Sequence, residues 1–229
     1  FAPAGQSTQM IIGADATDDS TILHTAASLY GNYRLRRVYY SAFSPIPQSP
    51  NTVPFEAPPL LREHRLYQAD FLLRGYGFEV GELLSGPGNL ALDIDPKLAW
   101  ALNNREHFPV DLNRAEPAMI ARVPGIGVLS AKRLVALRRQ KRIRFEDLTR
   151  LRCALEKAKP FIVTQDYRPL QASRESLLLR QHRWRCGNAS RLIRRQLCRL
   201  ARGCQKPGAA RYTAASDHVV GQQRQRWVV

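Results

Sequence analysis

The residues best suited to chemistry lie in one stretch, Val123-Pro124-Gly125-Ile126-Gly127-Val128-Leu129-Ser130-Ala131-Lys132-Arg133-Leu134. Two glycines spaced two apart permit a tight bend in backbone conformations that other residues avoid, and they leave no side chain to block a close approach. With helices on either side of the bend, the amides of Ile126, Gly127 and Val128 head the second helix, where the dipole favours an anion. Lys132 and Arg133 follow about one turn later and add charge beside that anion. Arg138, Arg139, Lys141, Arg142 and Arg144 extend the basic run. The phosphate rail of a nucleic acid fits such an array. Contacts of this kind position a strand without reading its bases, so binding is expected to be sequence-independent and salt-sensitive. A plain αα-hairpin with solvated arginines is the alternative, and the preceding Pro124, the flanking apolar stripes, Ala131 where the helices pack and the basic second helix, taken with the charge, favour the anion.

The elements around the bend are legible in outline. Asn113 and Glu116 have capping-box spacing, with Pro117 inside the first turn. Met119, Ile120 and Val123 make a buried stripe, Pro124 to Gly127 break the helix, and Leu129 to Arg139 resume it with Ala131, Leu134, Val135 and Leu137 inward. A second helical pair follows, Phe145 to Leu151 and Leu155 to Phe161. Its turn, Leu151-Arg152-Cys153-Ala154, lacks glycine, so packing support is expected there rather than a second phosphate site.

Upstream, the apolar run from Thr8 to Ala14 reads as a buried strand. Asp18 and Asp19 offer N-caps to a helix carrying Ile22, Leu23, Ala26, Ala27 and Tyr30 up to Gly31. Arg37 to Phe43 reads as a second strand, with Tyr39 and Tyr40 on opposite faces. Strand, helix and strand in so short a span make a βαβ unit with parallel pairing, which normally belongs to a larger sheet. Six prolines between positions 45 and 59 mark an extended connector. A helix is expected from Leu60 to Tyr76, stopped at Gly77, and another opens at Asp95-Pro96 and is filled by Leu98, Trp100, Ala101 and Leu102. Within Arg62-Glu63-His64-Arg65, His64 reads as a structural hydrogen-bonder rather than a base.

The 229 residues carry a net charge of +16, and the excess is not uniform. Residues 1–100 sum to −3, residues 101–165 to +8 and residues 166–229 to +11. A near-neutral front half with a basic rear half suggests a polyanion-binding module. The 44% apolar content excludes wholesale disorder. No apolar run approaches the roughly 20 residues of a membrane span. Four cysteines in a chain of this length (Cys153, Cys186, Cys198 and Cys204) make no disulfide scaffold, and a reducing, cytoplasmic setting is expected. The chain opens on Phe1 with no signal-peptide pattern, which reads as a fragment lacking an N-terminal part. Residues 170–229 hold 13 basic side chains and no sustained period, so a disordered tail is expected. Its Arg bias suits either a nucleic-acid-binding tail or a frameshifted or mis-spliced end, and the lack of a core pattern favours the second.

The stretch Val123 to Leu134 resembles the helix-hairpin-helix DNA-binding motif. Five further segments, Ala4–Ala14, Val38–Pro47, Arg62–Asp70, Asp93–Lys97 and Phe161–Pro169, together resemble the DNA modification/repair radical SAM proteins over about residues 1–169. The resemblance implies an α/β remnant, the last βαβ of a partial radical SAM barrel, followed by an all-α helix-hairpin-helix domain. It divides the chain into a barrel end at 1–50, a Pro-rich connector and helical linker at 51–105, the DNA-binding domain at 106–169 and the tail at 170–229. It assigns DNA contacts to Pro124, Gly125, Ile126, Gly127, Val128, Lys132 and Arg133. It also implies S-adenosylmethionine and a [4Fe-4S] cluster, with cofactor contacts at Gly5, Gln6, Ser7, Thr8 and Gly13 near the mouth of the barrel. The family holds its cluster with C-x3-C-x2-C, and none of the four cysteines has that spacing.

The leading expectation is therefore the C-terminal part of a radical SAM enzyme acting on DNA. A second is a non-catalytic DNA-binding module that brings a partner enzyme to DNA. A third, a helix-hairpin-helix glycosylase, needs an acid about 20 residues past the bend. Asp147 falls there, but it reads as a first-turn helix residue.

Overall fold

The first apolar run folds as β1 (Ser7–Ile12) and pairs in parallel with β2 (Arg37–Ala42), Ser7 opposite Arg37 and Ile12 opposite Ala42. Helix α1 (Asp19–Asn32) joins them, capped by Asp18, whose carboxylate accepts from Thr21 N at 2.8 Å. The computed structural model describes residues 4–45, 54, 56–84 and 88–170. Most of the Pro-rich connector lies outside the described residues, as do the tail at 171–229 and Cys186, Cys198 and Cys204.

Alternation along the strands sets the two faces. Ile12, Val38 and Tyr40 enter the core, while Ile11 is 49% exposed and Tyr39 is half-buried. The outer edge of β2 is closed by side chains. Val38 N donates to the Tyr30 hydroxyl at 2.9 Å and Ala42 N to Glu63 Oε2 at 2.8 Å. Between them the Tyr67 hydroxyl accepts from Tyr40 N at 3.0 Å and donates to Tyr40 O at 2.9 Å. The sheet therefore cannot grow on that side. The outer edge of β1 has no such cover among the described residues.

Helix α2 (Leu60–Tyr76) stops at Gly77, whose φ of 69° closes a left-handed cap. It buries Leu66, Ala69 and Leu72, and its Asp70 carboxylate gathers the Tyr30 hydroxyl at 2.6 Å and Arg74 Nε at 2.9 Å. Asp19, the other expected cap, is fully buried and instead receives Arg62 Nε at 2.7 Å and Leu90 N at 2.9 Å. After the short α3 (Val80–Leu83) comes α4 (Pro96–Asn103), capped by Asp95 with Pro96 in its first turn.

The rear half is not wholly helical. Strand β3 (Val110–Asp111) pairs in parallel with β4 (Ile162–Val163) and closes the ends of the hairpin region onto each other. Between them lie α5 (Pro117–Arg122), α6 (Val128–Arg138), α7 (Phe145–Arg150) and α8 (Leu155–Ala158). The all-α expectation is thus corrected, because two-residue strands are too short to leave a period-2 pattern. The expected capping box at Asn113 is corrected as well. Asn113 Oδ1 accepts from Ile143 N at 2.7 Å and its Nδ2 donates to Ile143 O, so its side chain spans the hairpin instead of capping α5. Among the described residues, buried apolar side chains from Ile12 to Ile162 form one cluster, and α2 and α4 contribute to it rather than linking two separate cores.

Candidate nucleic-acid interface

Helix α5 ends where Val123 leaves helical geometry and Pro124 supplies no amide. The Ile126 amide donates back to Val123 O at 3.1 Å and closes the turn, while the Ile126 side chain is 1% exposed. Gly125 sits at φ +84°, and a Cβ there would lie 2.5 Å from the Ala154 carbonyl oxygen. Its own carbonyl accepts from Ala154 N at 2.9 Å, so the second turn is docked directly onto the first. Ser130 Oγ donates to Leu151 O and adds to the same contact. At Gly127 the backbone is ordinary and a Cβ would meet only the Tyr76 hydroxyl at 3.7 Å.

The three amides expected to face an anion do not act together. The Ile126 amide is spent within the turn, and the Val128 amide lies near the Tyr76 hydroxyl. Gly127 remains, joined by Leu129 and Ser130 in the first turn of α6. None of these three amides has a hydrogen-bond partner among the described residues, and no side chain caps the helix. Pro124 and Ile126 are buried and shape the bend from behind.

Lys132 and Arg133 are exposed, as are Arg139, Arg142 and Arg144. Other basic groups are committed elsewhere. Arg138 donates to Ala115 O, and Lys141 pairs with Asp147 at 2.7 Å. Arg122 pairs with Glu82 and lies over the rings of Phe78 and Trp100 at 4.5 and 5.0 Å. Asp147 is buried and also accepts from Arg144 N at 3.0 Å; the bonds from Lys141 and Arg144 hold its carboxyl below the ordinary range. It sits in the first turn of α7, the helix-start position read for it from the sequence.

One residue at the turn left no signal in the sequence. Lys97, in the first turn of α4, is buried, with its Nζ 2.6 Å from Ile126 O and 4.5 Å from the centre of the Tyr76 ring. Burial pulls its amine down to about 7. A lysine after Asp-Pro reads as a surface residue, and only the approach of α4 to the hairpin buries it.

The cofactor positions are not brought together. Gly5, Gln6, Ser7 and Thr8 lie at the start of β1 and Gly13 lies past its end, about 20 Å apart for a strand of this length. Gly13 has φ +80°, and a Cβ there would lie 2.7 Å from Pro58, so protein fills the space its bare Cα leaves. Gln6 O accepts from Arg36 N, and Gln9 Nε2 donates to Ser41 Oγ at 2.7 Å. Cys153, half-buried in the second turn, stands alone, and no group of three His, Cys, Asp or Glu side chains is gathered among the described residues. These residues do not fit a [4Fe-4S] cluster with its S-adenosylmethionine. Among the described residues, no helix is long and apolar enough to cross a membrane. Comparison of the chain with known protein families, with curated proteins and with solved structures gives no match.

Proposed function

We propose that this chain binds DNA by its phosphate backbone, without reading sequence, through the N-terminus of α6 and the basic side chains behind it. The observation that carries this reading is the uncapped start of α6. Three amides without partners converge beside a bare Gly127, with Lys132 and Arg133 exposed on the next turn. The concentration of positive charge in the rear half supports the same reading.

On the family resemblance, we further propose that this binding serves a radical SAM enzyme that modifies or repairs DNA, of which the chain supplies the C-terminal part. The contrast between the closed edge of β2 and the open edge of β1 favours a sheet continued beyond β1. The alternative is a module without chemistry of its own that recruits an enzyme to DNA. A full-length reading frame encoding C-x3-C-x2-C upstream of Phe1 supports the enzyme, and a start codon a few residues upstream supports the module.

Fluorescence anisotropy with a labelled duplex tests the binding. Affinity is expected to fall steeply with salt, with a log–log slope of about −3 to −4 for roughly four phosphates neutralised. Lys132→Gln is expected to reduce that slope by about one. Gly127→Val, which crowds the amides without a backbone penalty, is expected to weaken binding roughly tenfold or more, in line with removal of charge-assisted bonds. A flat salt response, or full binding by Gly127→Val, sinks the proposal.

A further inference from the structure

We propose that Lys97 is a positioning residue for this turn, its ammonium presenting the Gly127 amide to a polyanion and taking up a proton as the polyanion binds. The inference rests on the phosphate-binding reading above. It follows from one peptide unit. The Ile126 carbonyl and the Gly127 N–H belong to the same plane and point in opposite directions. Lys97 Nζ lies 2.6 Å from that carbonyl oxygen, so its charge polarises the plane and strengthens the N–H on the far side as a donor. Tyr76 completes the arrangement, its ring beneath the ammonium at 4.5 Å and its hydroxyl near the next amide, that of Val128.

The groups facing Lys97 come from every neighbouring element. Asp95, at the cap of α4, favours the ammonium, but its Oδ2 also lies 3.4 Å from Lys157 Nζ of α8, which disfavours it. Cys153, in the second turn, and Tyr76, at the end of α2, are both pushed up by burial and stay neutral near pH 7. Burial outweighs them all and leaves the amine at about 7. A phosphate at the Gly127 amide lies one peptide away and favours the charged form, so binding above that pH draws in a proton. By reciprocity, raising the pH weakens binding.

The test uses the full chain and a labelled duplex at fixed low salt, from about pH 7.5 to 9, above the range where histidine titrates. Affinity of the unmodified protein is expected to drop about threefold across that window, the part of a one-unit rise in the lysine's pKa that titrates there. Lys97→Arg, charged throughout, is expected to hold its affinity, and Lys97→Met to bind weakly at every pH. Calorimetry near pH 8 in two buffers of different ionisation enthalpy is expected to show proton uptake only in the unmodified protein. Equal uptake by unmodified protein and Lys97→Arg overturns the inference while leaving DNA binding intact. That comparison decides even if Lys97→Met fails to fold. Absence of binding by every form at low salt overturns the DNA reading, and this inference falls with it.

Discussion

A lysine that exchanges water for a single carbonyl and an aromatic ring holds its proton less tightly in the folded chain than in the unfolded one. For Lys97 the amine falls from 10.5 to about 7, so between these values the unfolded chain carries more protons. Stability is therefore lowest below about pH 7 and rises with pH across that window. The gain is at most a few kcal/mol, at about 1.4 kcal/mol per pKa unit. Urea titrations are expected to show a rising midpoint from neutral to alkaline pH, and Lys97→Met is expected to lose that slope. A slope unchanged by the substitution would assign it to another group. The two glycines of the bend differ just as sharply. Gly125→Ala meets both the left-handed backbone and the Ala154 carbonyl, and about 2–4 kcal/mol of destabilisation is expected in thermal unfolding. Gly127 is free of both constraints, so its substitution reports on binding rather than folding. The sequence shows two equivalent glycines, and the left-handed backbone of Gly125 together with its contact with Ala154 separates them.

Among the elements, the second turn shows why one hairpin is a candidate site and its sequel is not. Arg152 occupies a left-handed conformation at φ +58°, where the bend at Gly125 has glycine. The turn spends its Ala154 amide on the Gly125 carbonyl, and Cys153 N donates to Leu148 O. It is a buttress for the first turn. Arg152→Gly is expected to stabilise the protein by about 0.5–1 kcal/mol, since relief of the left-handed strain exceeds the flexibility added to the unfolded chain. A lowered melting temperature would show that the arginine side chain contributes more than its backbone costs. The absence of glycine was readable in the sequence. The docking of Ala154 on Gly125 was not, because it joins segments 29 residues apart. The βαβ unit was legible through its strand composition and the Asp18 cap, whereas β3 and β4 were hidden by their length.

At the scale of the molecule, one apolar cluster runs from Ile12 through α2 and α4 to Ile162. Trp100 packs edge-on against Phe78 and Phe108, and Phe108 against Phe161, so the front and rear halves share their core. Thermal unfolding followed by tryptophan fluorescence and by helicity is therefore expected to give coincident transitions. Residues 106–229 produced alone are expected to lack that cooperativity, and an independently folding rear half would contradict the shared core. Local chemistry written into the chain determined the helix starts at Asp18 and Asp95, the stop at Gly77, the parallel strand pair and the glycine bend. The caps, the stop and the bend depend on residues within a few positions of one another, and the strand pair on two apolar runs joined by a single helix. The tertiary structure alone decided which amides of the bend face outward and which cation stands behind them. The Ile126 carbonyl accepts from Lys97 and the Val128 amide lies near Tyr76, contacts made only when distant segments pack.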